Sequence, residues 1–383
     1  MESDRNGEET GLLARWGADL LAAVGLVAVS YRLRHPGVPR DGLWYDDAWV
    51  ALGALKGSLT EIPMTGGGHA GFTFLIWLQH GIFGSSAESL TVVPFLFGVI
   101  GPAVVFACLR TLRYGLPASL LAAAAVAVTP AHVVYSGRVK PYTVDVVLVM
   151  VVATVLPRLA RRRWTWAGAG AWVLAALVVG SISGYVMLAT AIAIGILVLH
   201  PQGDRLQRSV ALAVQGVVQG GWVLYVRRFA DMDGIEEFME SGYDAHVERS
   251  ANPLIVLRNL FTHMQRVVDV HPGGPSVLLA VLAVAVLVGL VVGALGHLDR
   301  ERALVSRFAL ACLSFAAVGA LVDRFPFGPV TDDLSSAMGA PGARHGLWLV
   351  PVTAVALCNL IELAARAVKP RHRLASPVLG GLV

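Results

Sequence analysis

Apolar runs of about 20 residues, separated by short polar connections, recur along the whole 383-residue chain. A run of that length spans the hydrocarbon core as a helix, so the pattern predicts an all-α, polytopic membrane bundle. The predicted spans are 13–32, 89–109, 115–130, 142–157, 164–181, 185–200, 207–226, 276–296, 303–322 and 345–366, about ten in all. Together they make residues 1–383 a single transmembrane domain. One run breaks the rule: residues 70–84, "AGFTFLIWLQHGIFG", are apolar but only 15 long.

Charge orients the pattern. The short connections "RTLRYG" (110–115), "RLARRRW" (158–164), "HPQGDRLQR" (200–208), "HLDRER" (297–302) and "KPRHR" (369–373) carry the basic residues. The positive-inside rule puts all five in the cytoplasm, and alternate crossings then leave both termini cytoplasmic. A single crossing by 70–84 would throw every later basic loop to the wrong side, so this segment is expected to dip in or lie along the outer surface, the alternative being a full crossing paired with a second one nearby. The outer side then holds the first loop (33–88), the "SGRVKPY" segment (136–142), a polar loop (227–275) and residues 323–345. Loop 227–275, with "DMDGIEEFMESGYD", misses the calcium-loop ligand pattern and is expected to cap a site.

Composition agrees. The chain is 56% hydrophobic and 15% charged, against about 25% charged in soluble domains. A net charge of +4 could suggest nucleic acid, but the basic residues sit in loops where membrane topology places them. Cys108, Cys312 and Cys358 lie inside apolar runs, which argues against a disulfide framework. Gly216 and Gly220 form a GxxxG pair of the kind that lets membrane helices approach closely. The polar start "MESDRNGEET" is unlike a cleavable signal peptide, so the first run is expected to stay as a span, and no soluble C-terminal domain is expected.

Candidate chemistry gathers on the outer side. In "LWYDDAWVAL" (43–52), Asp46 and Asp47 stand among Trp44, Tyr45 and Trp49, residues that favour the membrane–water interface. Trp49, Leu52, Leu55 and Leu59 then recur at helical spacing, which predicts an interfacial amphipathic helix over 47–59 with Asp46 at its N-cap. Asp46 is either that cap or a general base for an attacking hydroxyl. Arg138 and Lys140 stand just before a span that opens near Pro141, where they either snorkel to headgroups or clamp a phosphate. Asp145, one turn in, reads as a structural acid held by the helix dipole or as a partner for Arg138 or Lys140. Arg344 and His345 open the last span and repeat the motif of a cation at an outer helix mouth. Asp332 and Asp333 form a second acid pair in a Gly- and Pro-rich stretch and read as a solvated loop. His69 follows three glycines; with the acid pair on its side a divalent-metal site can be drawn, at a spacing specific for none. No Rossmann or P-loop unit is present, so chemistry on the outer face must use a substrate available there.

These motifs resemble the GT-C glycosyltransferases, and within them the branch of protein O-mannosyltransferases and lipid A aminoarabinose transferases. The likeness lies in the acidic pair after span one, in "HAGFTFLIWLQHGIFG", in "YSGRVKPYTVDVVLVM" and in "RFPFG…RHGLWLVP". It implies an inverting transfer of a sugar from a polyprenyl-phosphate donor to an acceptor hydroxyl of a glycan, lipid or protein, outside a bacterial inner membrane. By that resemblance Asp46 carries the first acid, Asp47 the second, Arg138 the arginine and Arg344 the late cation. Lys140 and Tyr142 belong to the donor-phosphate element, and His69 and His345 are accessory candidates. The usual Asp-Glu pair is Asp-Asp here. A transporter or lipid flippase, and a catalytically silent scaffold of the same fold, are the alternatives; no two-fold repeat favours the transporter.

Overall fold

In the computed structural model the described residues are 2–40, 42–43, 45–55, 69–201, 204–229, 252–256, 258, 276–321 and 342–368. All their regular elements are helical. In chain order they are α1 (Glu2–Arg34), α2 (Tyr45–Leu55), α3 (Ala70–Phe83), α4 (Ala87–Leu90), α5 (Val92–Thr111), α6 (Leu116–Val128), α7 (Pro130–Tyr135) and α8 (Tyr142–Arg161). Then follow α9 (Trp166–Gly180), α10 (Gly184–Leu199), α11 (Arg205–Phe229), α12 (Ser276–Ala294), α13 (Arg300–Leu321) and α14 (Val350–Val368). Two 3-10 turns, His35–Gly37 and Gly342–Leu349, join the set.

Among the described residues, five stretches are long and apolar enough to cross a membrane: Trp16–Gly37, Val92–Thr111, Tyr142–Arg161, Arg300–Gly319 and Gly346–Val368. Shorter apolar helices, Ala70–Phe83, Leu116–Val128, Trp166–Gly180, Gly184–Leu199 and Val281–Ala294, accompany them. The chain is a polytopic helical membrane protein. Helices suit that setting because each satisfies its own backbone hydrogen bonds where no water can.

Contacts between helix ends give the bundle two distinct poles. At one pole the basic connections meet each other. Arg110 donates to Asp19 Oδ1 (2.9 Å), Arg161 pairs with Glu301, Arg208 donates to the carbonyls of Leu197 (2.8 Å) and Ala160 (3.1 Å), and Arg366 donates to the His297 carbonyl (3.0 Å). Arg302 reaches the Leu112 and Arg113 carbonyls, and Glu362 accepts from the Gly115 N–H (2.6 Å). So 110–115, 158–164, 200–208 and 297–302 share one pole, as their charge required.

The opposite pole is tied just as clearly. Thr143, at the start of α8, donates to the Pro94 carbonyl at the start of α5 (2.9 Å). Arg34, closing α1, donates to the Ala127 carbonyl at the end of α6 (3.1 Å). Both ends of α3 also touch this pole. Gly71 N–H donates to the Ser181 carbonyl in the turn between α9 and α10 (2.8 Å), and Val93 N–H, at the start of α5, donates to Gln79 Oε1 (2.7 Å). A helix anchored at both ends to one pole lies along that face and does not traverse the bundle.

The core centres on α8, which packs against α5, α10, α13, α14 and the Gly342–Leu349 turn. Its valine-rich face, with Val146, Val149, Met150 and Leu156, is fully buried. The three cysteines are buried and free. Among the described residues nothing approaches Gly216 or Gly220; the tight helix approaches there fall at Gly71, Gly98, Gly289 and Gly293 instead.

Candidate active site

A smaller cluster forms at the pole opposite the basic loops. Val50, Ala51 and Ala54 of α2 bury against Phe72 and Ile76 of α3 and against Val139 and Val144. That packing brings the acid-pair helix onto the "RVKPY" segment. The amphipathic helix expected over 47–59 is observed as Tyr45–Leu55, and residues 56–68 lie outside the described residues. The helix begins before the acid pair, so Asp46 and Asp47 are its second and third residues and Asp46 is not the N-cap. Both residues still stand in the first turn, at the positive end of the helix dipole.

Asp47 turns inward. Its side chain is 3% exposed and its Oδ2 lies 3.4 Å from Arg138 Nη1, whose side chain is 19% exposed. Residues 91 apart in sequence thus form one ion pair. The side chain of Asp46 lies outside the described residues.

The arginine is held by a compact turn. Arg138 N–H donates to the Tyr135 carbonyl (3.4 Å) and Lys140 N–H to the Arg138 carbonyl (2.8 Å). Pro141 is the N-cap of α8, one position earlier than a first-turn proline, with φ −75°. Tyr142 is buried and packs edge-on to Tyr135, with ring centroids 5.0 Å apart.

His69 caps α3 next to this cluster. Its Nδ1 is buried and has no hydrogen-bond partner among the described residues. Burial, and then the nearby Lys140 charge, lower its pKa from 6.5 to about 4. His69 is therefore neutral at physiological pH. Among the described residues, no group of three or more His, Cys, Asp or Glu side chains gathers as a metal site.

Asp145 pairs with neither candidate cation. Its Oδ1 accepts from Ser183 Oγ at 2.6 Å, and Oδ2 is buried without a partner among the described residues. Its place in the first turn of the buried α8 points it at the α9–α10 turn and away from Arg138 and Lys140, so its role is to fasten α8 to that turn. The backbone of Gly342–Leu349 packs on α7 and α8, next to the Arg138 segment. Trp348 there stacks on Tyr185 (5.6 Å, 12° between ring planes). The side chains of Arg344 and His345 lie outside the described residues, as do Trp44, residues 324–328, Asp332 and Asp333, and nearly all of loop 227–275.

Sequence reasoning missed a second polar cluster. Arg34 is 1% exposed. It donates to Ser136 Oγ (3.0 Å), the Ser30 carbonyl (3.1 Å), the Ala127 carbonyl (3.1 Å) and His132 Nδ1 (2.7 Å). A guanidinium cannot accept, so His132 carries its proton on Nε2. Burial, then the Arg34 charge, drives His132 well below its ordinary pKa. The available signal was the stripe Leu26, Ser30, Arg34 at four-residue spacing, which is buried in α1.

Residues 70–219 match the family model described as dolichyl-phosphate-mannose-protein mannosyltransferase. The match spans α3 to α11, and so includes the Arg138 segment but not the acid pair. It is consistent with a membrane glycosyltransferase of the GT-C superfamily. Neither the curated proteins nor the solved structures yield a match to the chain.

Proposed function

We propose that the protein is an inverting glycosyltransferase that moves a sugar from a polyprenyl-phosphate donor to an acceptor hydroxyl at the outer face of a bacterial inner membrane, with both termini cytoplasmic. The observation that carries this reading is the Asp47–Arg138 pair, which joins the acid-pair helix to the segment shared with the matched family. The pair lies at the pole opposite the arginine-rich loops, and positive-inside logic makes that pole external. Nucleotide sugars are not expected there, whereas a lipid-linked donor reaches the site from the bilayer.

The division of labour follows from burial. Asp47 is enclosed and holds Arg138, which suits a fixed electrostatic group. Arg138 keeps an exposed part and faces the donor phosphate. Breaking the bond between the anomeric carbon and the phosphate oxygen leaves the electron pair, and negative charge, on the phosphate. A guanidinium already in place stabilises that charge without reorganising. Lys140 adds a second positive charge next to it, and Arg344 is the third candidate. Asp46 takes the proton of the acceptor hydroxyl as its oxygen attacks the anomeric carbon from the face opposite the phosphate, so the anomeric configuration inverts.

The test is direct. Purified protein in nanodiscs is given a polyprenyl-phosphate sugar and acceptor-containing membrane extract. Transfer with inverted anomeric configuration, read by NMR of the product, supports the reading. Hydrolysis-free uptake of a solute into proteoliposomes with no sugar transfer would support the transporter instead.

A further inference from the structure

Arg34 is a cation enclosed in the protein, yet among the described residues its hydrogen-bond partners are all uncharged: two carbonyls, a hydroxyl and an imidazole. Enclosing a charge without a counter-charge is costly unless its donors are met by well-placed dipoles. Here four contacts meet it, and three of them fall on residues 127–136, the stretch that leads into Arg138.

The surroundings leave this stretch little freedom. A Cβ on Gly137 would lie 2.2 Å from the Gly37 carbonyl oxygen. A Cβ on Gly98 would lie 2.1 Å from Ser136 Oγ and 3.3 Å from Arg34 Cδ. The turn after α1 thus rests backbone to backbone on the residue before Arg138, while Arg34 pins Ser136 two residues before it. Ser136 Oγ in turn donates to the His132 carbonyl (2.6 Å), closing the loop on itself.

We propose that Arg34 is a positioning residue that locks the Ala127–Ser136 stretch in register and so delivers Arg138 to Asp47. Its planar fork is what the task needs. Five N–H donors in fixed directions reach four acceptors, on α1, on α6, on α7 and at the C-cap residue of α7, which a lysine ammonium on a flexible stem does not reproduce. The proposal rests on the reading of Arg138 as the phosphate-stabilising group, but its structural half does not depend on that reading.

The experiment uses the full chain in detergent micelles and nanodiscs, with R34K and the milder S136A. The first readout is the non-additivity of D47N and R138Q in unfolding midpoint, measured in each background. If Arg34 delivers Arg138, this non-additivity vanishes in R34K and shrinks in S136A. A residue that merely stabilises the bundle would lower every midpoint and leave the non-additivity intact, and that result overturns the proposal. The second readout is sugar transfer from the polyprenyl-phosphate donor. A displacement of about 1 Å at the phosphate is expected to cost on the order of 100-fold in kcat in R34K, with acceptor KM unchanged. Should R34K not fold, S136A decides alone: undiminished non-additivity together with wild-type turnover refutes the assignment. If wild type shows the non-additivity but transfers no sugar, the glycosyltransferase reading fails while Arg34 is still judged by the first readout.

Discussion

Removing either member of the Asp47–Arg138 pair tests whether two segments 91 residues apart are truly coupled. At the observed 3.4 Å, two unit charges attract by about 5 kcal/mol at an effective dielectric of about 20. Desolvation and the ordering of a long side chain offset much of that. The expected coupling between D47N and R138Q is therefore about 1–3 kcal/mol. The two single changes should not cost the same. R138Q takes the guanidinium from a carboxylate that is 3% exposed, whereas D47N leaves a guanidinium whose 19% exposure lets it turn toward water. R138Q should then be the more destabilising, by about 1 kcal/mol or more, and the double variant should recover part of its loss. Activity should not follow stability. R138Q removes the group that meets the leaving phosphate, with an expected loss of about 10²–10³-fold in kcat, and the double variant stays inactive. Reversible unfolding in mixed micelles gives the cycle, and donor turnover gives the rates. Additive free energies, or turnover restored in the double variant, would refute the pairing as described.

Three further outcomes follow from other parts of the molecule. S183A leaves both oxygens of buried Asp145 without a side-chain partner and should destabilise by about 1–3 kcal/mol in the same unfolding assay, whereas S181A, whose hydroxyl donates only within its own helix end, should cost less. Gly293→Ala puts a Cβ 2.3 Å from Asn359 Nδ2 and should lower the unfolding midpoint clearly; Gly216→Ala, with nothing within 4 Å, should leave it unchanged. His69 has a folded pKa of about 4 against 6.5, so its neutral form stabilises the protein fully above about pH 6.5 and that contribution is lost as pH falls toward 4. By linkage the loss is at most about 3 kcal/mol, and H69Q should flatten this acid limb; a pH–stability curve identical to wild type would contradict the burial of its ring.

Much of the architecture was legible because membrane solvent leaves few choices. Apolar length gave the helices, and the charge of their connections gave the two poles. Even the odd segment 70–84 could be kept from crossing by charge bookkeeping, and the contacts of Gly71 and Gln79 give the physical reason. Site detail was harder to read. Whether Asp46 or Asp47 faces Arg138 depends on a helical register of one residue, about 100° of rotation, and α2 starts at Tyr45, two positions before the expected start at Asp47. The partner of Asp145 lies on an element 38 residues away, with no local pattern to mark Ser183. Arg34 was invisible for another reason: at the end of a span, next to exposed Arg32, it looks like any snorkelling cation, and only three-dimensional packing shows that one of the two is enclosed.

The central claim is that the acid pair supplies the base for sugar transfer while Arg138 holds the phosphate. Its most direct test is kcat for D46N with a polyprenyl-phosphate sugar, alongside donor binding measured by isothermal titration. A fall of about 10²–10⁴-fold in kcat with unchanged donor affinity is the predicted result. Wild-type turnover in D46N would contradict it.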